Sequence, residues 1–442
     1  MSTSKLSLAA AGVISALTMG VQTQNVEAAN WLMLQGTEAP GAVGRAKVWG
    51  FIQPEAQYIE GSTVPAGGFA GAPMQPNTIG PDRNSRATMN IRRARIGVRG
   101  QGFPLDNKVN YFILAEFGHN GVTVPGGGGG ATYLTDASIT LNHIPYARFR
   151  IGQFKTPGSE EGLQAIHVFD YINFTNGTDQ LLLERFADGD GSTAGTVNAP
   201  NGGVGAFRDI GVQLFDTIKM KNMEYSYAGM IGNGNGVNRQ DNNNKKDFYG
   251  YAAAEMIFGG KGGRREGAKV YAWMHKGKRT LTTDAAGEYD RDRSGLGFTF
   301  RKGPYRAAGE YIMASGLIRN GTDGGAQIGK LNTAGTTQAG LNYRTDDEAN
   351  AYYLHLGYMV MPKLELDVRY DVLNRATEVE AQERQFTTYT LGAQYFLNKK
   401  TRITVNYEFR SLEAPNLASS HPANQIGDAI DNKASIQMLA IF

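Results

Sequence analysis

Between residues 401 and 410 the chain alternates strictly. Thr401, Ile403, Val405, Tyr407 and Phe409 fall on one face, Arg402, Thr404, Asn406, Glu408 and Arg410 on the other. A period of two belongs to a strand, since a helix would repeat its apolar residues every three or four positions. About ten residues at strand rise, tilted, just cross a bilayer, and a lipid-facing row backed by a water-facing row is what a barrel wall requires. Residues 363–372 repeat the pattern, with Leu364, Leu366, Val368 and Tyr370 against Glu365, Asp367, Arg369 and Asp371.

The same reading gives strands at 45–58, 90–100, 108–118, 133–142, 146–154, 207–216, 222–232, 247–258, 267–276, 293–302, 304–315, 349–360, 363–372, 386–397, 400–410 and 433–442. These are about sixteen, an even number, as in single-chain bacterial barrels. The links alternate in length. Those at 59–89, 119–132, 155–206, 233–246, 277–292, 316–348, 373–385 and 411–432 are long, whereas 143–145, 303, 361–362 and 398–399 are short. Long extracellular loops and short periplasmic turns give a transmembrane barrel this asymmetry, and a soluble sandwich has no reason for it. The expected fold is all-β: a transmembrane antiparallel β-barrel over 45–442, preceded by a periplasmic N-terminal segment at 29–44.

Composition narrows the class. The 58 Gly, 21 Tyr and 20 Phe against 15 Pro suit many strands joined by turns. A mean hydropathy of -0.35 excludes a helical membrane protein of this size. The long apolar stretch Leu6–Val21 follows Lys5 and precedes Val26-Glu27-Ala28, so residues 1–28 read as a cleaved signal peptide and the chain as exported to the outer membrane. With no cysteine, thiolate metal sites and c-type haem attachment are excluded. The histidines (His119, His143, His167, His275, His355, His421) lack metal-ligand spacing, and no cofactor is expected. A net charge of +3 without charge blocks argues against nucleic acid as a partner. The chain ends on Phe442, with Ile436, Met438 and Ala440 on the same face, similar to the assembly signal of outer-membrane proteins.

Several stretches resemble the phosphate-selective porin O and P family, in family order. They are Arg92-Arg93-Ala94-Arg95-Ile96-Gly97-Val98-Arg99-Gly100, Leu134-Thr135-Asp136-Ala137 and Arg150-Ile151-Gly152-Gln153-Phe154-Lys155. Further on come Glu184-Arg185-Phe186, Arg208-Asp209-Ile210-Gly211-Val212-Gln213 and Thr390-Leu391-Gly392-Ala393-Gln394-Tyr395-Phe396-Leu397-Asn398. The resemblance implies a homotrimeric sixteen-stranded porin whose third extracellular loop folds inward. It also implies passive diffusion of small hydrophilic solutes and ions, with a tendency toward anions and phosphate.

Arginine is the first chemistry to weigh. With Ala94, Ile96 and Val98 facing lipid, Arg93, Arg95 and Arg99 point into the lumen; with Ala147, Phe149 and Ile151 outward, so do Arg148 and Arg150. Same-face neighbours lie about 7 Å apart, inside a Debye length of about 8 Å, so their fields overlap. Such a track could pass an anion from site to site. The alternative is bracing, because carboxylates also point inward: Glu116, Asp136, Asp209, Glu224, Glu255, Glu310, Glu365, Asp367, Asp371 and Glu408. The inward bases outside the two arginine strands are Lys108, Lys269, Arg301, Arg306, Arg369, Arg402 and Arg410, which leaves the wall nearly balanced. Bases crowd 90–100 and 146–154 while acids crowd 363–372, an arrangement that favours a transverse field.

The link 155–206 is the candidate constriction loop, since links of this length are usually functional. It carries Lys155 and Arg185 against Glu160, Glu161, Asp170, Asp179, Glu184, Asp188 and Asp190, a formal charge of −5. Asp170, Glu184, Asp188 and Asp190 would make an acidic constriction that opposes phosphate, against the family expectation. A surface flap is the alternative for this loop. Gly126–Gly130 reads as flexible linker. Lys276, Lys278 and Arg279 could attract anions or contact lipopolysaccharide beside the lipid bilayer. Two other readings remain: a general or cation-leaning pore, and a structural sheath around a partner protein. An enzyme would need a nucleophile–base pair at the rim, and none is credible.

Overall fold

The structure, a computed structural model, describes residues 30–38, 46–74, 87–102, 106–120, 132–183, 207–238, 240–241, 243–260, 265–281, 284–321, 331–336 and 341–442. The signal peptide expected at 1–28 and the glycine run at 126–130 lie outside these residues. So do Glu184, Arg185, Asp188 and Asp190.

The wall strands are β1 (Lys47–Ile59), β2 (Ala87–Gln101), β3 (Val109–Glu116), β4 (Tyr133–Ile144), β5 (Ala147–Lys155), β6 (Arg208–Met220), β7 (Met223–Gly232), β8 (Asp247–Gly259), β9 (Glu266–Leu281), β10 (Asp284–Lys302) and β11 (Tyr305–Ser315). A small hairpin of β12 (Ile318–Gly321) and β13 (Leu341–Arg344) interrupts them. The wall resumes with β14 (Glu348–Met361), β15 (Leu364–Arg375), β16 (Arg384–Asn398), β17 (Thr401–Glu413) and β18 (Lys433–Ile441). Without the hairpin these sixteen strands close into one antiparallel barrel, each beside its sequence neighbour and β1 beside β18.

Alternation positions every side chain. Ile96, Ile151, Leu366, Val405 and Ile436 are exposed on the lipid side, while Arg95, Arg150, Asp367, Asn406 and Ser435 are buried within the lumen. Tyrosines cluster outside the wall, Tyr370 lying edge-on to Tyr352 at 6.1 Å and tilted against Tyr389 at 4.6 Å, centroid to centroid. Such clusters suit the aromatic girdles at membrane interfaces. The seam closes on the last residue: Phe442 N donates to Gly50 O at 3.0 Å, and Gly50 N donates back at 3.2 Å. The Phe442 ring lies over Gly50, where a Cβ would approach it to 2.4 Å.

Two features depart from simple alternation. The β1–β2 register shifts so that Gln53 faces Arg93 and Pro54 faces Ile91, leaving Arg92 as the extra residue of a bulge. Proline has no N–H for the ladder, which is why the bulge sits opposite it. Arg92 therefore turns inward beside Arg93, although alternation assigns it to lipid, and both are buried. The other departure is the link expected at 277–292. Apart from Thr282 and Thr283, which lie outside the described residues, it is the extended β9–β10 ladder. Lys278 faces Asp290 and Lys276 faces Asp292, paired at 2.7 and 3.5 Å. Opposite charges on facing strand positions stabilise a ladder, so charges that read as loop are strand.

Gly152 in β5 has φ +126, and a Cβ there would lie 2.1 Å from Ala137 O of β4. Gly152→Ala should destabilise the barrel by about 2 kcal/mol or more, given the cost of a strained backbone. Heat-modifiability on gels should show this as a lower unfolding temperature.

Candidate functional site: the barrel lumen and its inward loop

The lumen is built by the wall together with two segments that enter it. The first follows β5. Lys155 Nζ donates to Gly162 O at 2.8 Å and Gln164 O at 2.6 Å, capping the carbonyl end of the short helix α1 (Glu160–Leu163). A cation at that end is favourable and fixes how the chain leaves the wall. Lys155, expected to contact anions, thus serves the loop.

From α1 the chain crosses the lumen. Asn173 Nδ2 donates to Glu408 of β17 at 2.7 Å, and Asn173 Oδ1 accepts from Arg92 of β2 at 2.9 Å. Asn176 N and Nδ2 both donate to Asp371 of β15, at 2.9 and 2.8 Å. The π-helical turn Thr178–Leu182 presents Leu181 O to two guanidiniums of β10, Arg291 at 3.1 Å and Arg293 at 2.9 Å. Gln180 accepts from Arg375 at 3.0 Å. The described part of link 155–206 therefore lies within the barrel and is not a surface flap.

Its acids do not face open water. Glu160 pairs with Lys269 at 2.6 Å. Glu161 pairs with Arg369 at 3.4 Å and accepts from Thr175 Oγ1 at 2.7 Å. Asp170 meets Arg306, which also holds Glu365 at 2.7 Å and Asp367. The acidic constriction expected at Asp170 is thus neutralised by the wall. The acids of 363–372 are engaged in the same way, which weakens the transverse field expected from them. β5 does stand across the ring from β15.

The described arginines of β2 and β5 are clothed by acceptors. Arg95 pairs with Glu116 at 2.6 Å, and Arg148 with Asp216 at 2.6 Å. Arg208 pairs with Asp136 at 3.0 Å, and Arg279 with Asp247 at 2.9 Å. These wall contacts match bracing. Arg93 and Arg150 differ. Arg93 donates to Gln53 Oε1 at 3.2 Å, while Arg150 donates to Gln213 Oε1 at 3.2 Å, Thr140 Oγ1 and Leu32 O. Arg293 adds the carbonyls of Asp292, Ser315, Gly316 and Leu317 to that of Leu181. These guanidiniums are hydrogen-bonded by neutral groups. Lys108, expected inside, is exposed in the β2–β3 turn.

The second segment is residues 30–38, from the stretch expected to be periplasmic. A short helical turn, Trp31–Leu34, buries Trp31 and Leu32 against Leu163, Phe215 and Tyr251. Trp31 Nε1 donates to Glu160 at 2.9 Å, and Arg99 binds Glu38. The apolar run Trp31–Leu34 was its sequence signal.

His167 of the inward loop is enclosed by Trp49 and Phe51, with ring centroids at 5.7 and 5.2 Å. Burial pushes its pKa down to about 3, helped by the neighbouring charges of Lys155, Arg402, Arg95 and Arg99. It is neutral wherever the loop is docked near neutral pH.

The phosphate-selective porin O and P family model matches residues 75–413. The chain belongs to that family, and it is an outer-membrane channel of the porin type. Among solved structures it is similar to an anion-selective porin from Comamonas acidovorans, at 13% identity and TM-score 0.53, covering 90% of this chain and 99% of that one. The outer-membrane channel DcaP of Acinetobacter baumannii gives 14% identity and TM-score 0.52, covering 92% and 100%. Salmonella typhi OmpF gives 12% and 0.53, covering 90% and 97%. At these identities the likeness is one of fold. No curated protein matches by sequence.

Two outcomes follow from the loop's anchoring. Arg306→Leu strands three carboxylates and should cost about 3–5 kcal/mol, as broken buried pairs do. Single-channel records should then show large current fluctuations absent from the wild type. Acid should act through His167. A released loop takes up a proton near the ordinary histidine pKa of about 6.5 and the docked loop does not, so docking weakens as pH falls below that value. Fluctuations should rise between pH 7.5 and 4.5, and His167→Phe should flatten that dependence.

Proposed function

We propose that this channel passes small hydrophilic solutes and ions passively, with a modest preference for anions and phosphate as the family-implied solute. The observation that carries this reading is the set Arg93, Arg150 and Arg293, whose partners are amides, hydroxyls and carbonyls instead of carboxylates. Guanidinium stays charged at any working pH, and a neutral acceptor leaves that charge to be felt by ions in transit. Glu160, Glu161 and Asp170 of the inward loop are meanwhile paired with wall bases, which weakens the main objection to anion passage. Family membership supports a homotrimer in the bacterial outer membrane, exported with a cleaved signal peptide and contacting lipid and lipopolysaccharide. No chemistry is required of the lumen.

The opposing reading, a general or cation-leaning pore, draws on Asp209 and Glu310. Their partners include Gly234 N and Trp273 Nε1, each at 2.7 Å, and neither acid makes an ion pair among the described residues. Reversal potentials in a salt gradient decide between the two. One charge acting across about 8 Å of water is worth about 0.5 kcal/mol, so Arg93→Gln and Arg150→Gln should each lower the anion-to-cation permeability ratio about two-fold. A cation-selective wild type would refute the anionic reading. An unchanged ratio in both variants would return those arginines to bracing.

A further inference from the structure

We propose that residues 30–38 are a tethered occupant of the arginine track, and that Glu38 is a specificity-determining residue of the channel. The inference deepens the anion reading above and rests on the lumen being a conducting path. Arg99, Arg148 and Arg150 all take acceptors from this one segment. Arg99 binds the Glu38 carboxylate and donates to Leu34 O at 3.2 Å and Thr37 O at 3.1 Å. Arg150 reaches Leu32 O at 3.4 Å, and Arg148 reaches Met33 Sδ at 3.5 Å.

The segment is held at both ends by groups other than these arginines. Asn30 Nδ2 donates to Glu224 and Ser226, each at 2.7 Å, and Glu38 N donates to Asn110 Oδ1 at 3.1 Å. Gly36, at φ +67, lets the backbone press against Phe112, where a Cβ would come within 2.9 Å. The segment is thus seated on the wall by built contacts, with its acceptors turned toward the guanidiniums.

The consequence is chemical. A carboxylate and carbonyls are what a permeating oxyanion would offer the same donors, so the segment competes with solute for them. The choice of residues matters because Arg99 and Arg148 retain the most exposed side chains of the expected track, 18% and 21%. Arg99 is then one of the two arginines whose field would most readily reach an ion, and Glu38 cancels it. Selectivity is set partly by a residue that belongs to no strand.

The test uses the full mature protein in planar bilayers, with heat-modifiability checked first to establish that each variant forms a barrel. Glu38→Gln should raise the anion-to-cation permeability ratio about two-fold and Glu38→Lys should raise it further, a gradation that follows charge. A merely structural tether would respond alike to both substitutions. Deletion of residues 30–38 should increase unitary conductance, and a synthetic peptide of the same residues should lower it again. An unchanged ratio in both Glu38 variants overturns the inference, and if the deletion fails to fold those variants decide it alone. A wild type that prefers cations would sink the anion reading while leaving the Glu38 shift measurable, so the two failures are distinguishable.

Discussion

A guanidinium pointing into a barrel must be met by an acceptor, because it cannot shed its proton to escape burial. That constraint shapes this lumen more than any other. Arg306 takes acids from β15 and from the loop, Arg369 takes Glu161, and Arg92 takes Glu55 at 3.1 Å together with Asn173. Each link ties a wall strand to another strand or to the segment crossing the lumen. Removing one of these three arginines therefore strands acids, and removing the loop strands arginines. These pairs tie wall and loop into one body, while the outer face needs only apolar side chains and closed hydrogen bonding.

The wall was legible in the sequence for a plain reason. Lipid outside and water inside impose a period of two that survives any detail of packing, and Thr401–Arg410 shows it without exception. Legibility ended where a local event broke the period. Pro54 displaces the pairing of β2, and the signal for Arg92 lay on the neighbouring strand, not around Arg92 itself. The β9–β10 extension was hidden differently: Lys276, Lys278, Asp290 and Asp292 read as loop because their strand character comes from facing one another.

The site was less legible than the fold. Counting charges in 155–206 suggested an acidic constriction, but the meaning of a charge depends on its partner. Glu161 and Arg369 are 208 residues apart in the chain, and Asn176 and Asp371 are 195 apart. No local pattern announces such pairs. Periodicity turned the arginines of β2 and β5 inward, yet it could not say which of them face carboxylates and which face amides. Residues 30–38 were missed for a related reason: Trp31–Leu34 is too short to declare a helix, and its destination is the inner wall.

The kind of acceptor decides what an arginine can do for a solute. An arginine bound to a carboxylate is strongly held, by charge-assisted bonds that an anion would have to break. One bound to carbonyls or amides keeps its net charge and can exchange one neutral acceptor for an anionic one with a gain in Coulomb energy. Weak, replaceable partners are what conduction demands, since a site must attract an ion and then release it. On this ground Arg93, Arg150 and Arg293 differ in kind from Arg95 and Arg208, although sequence and position make them look alike. The carboxylate-bound arginines tie the lumen together, and on the anion reading proposed above the others are left to act on what passes through it.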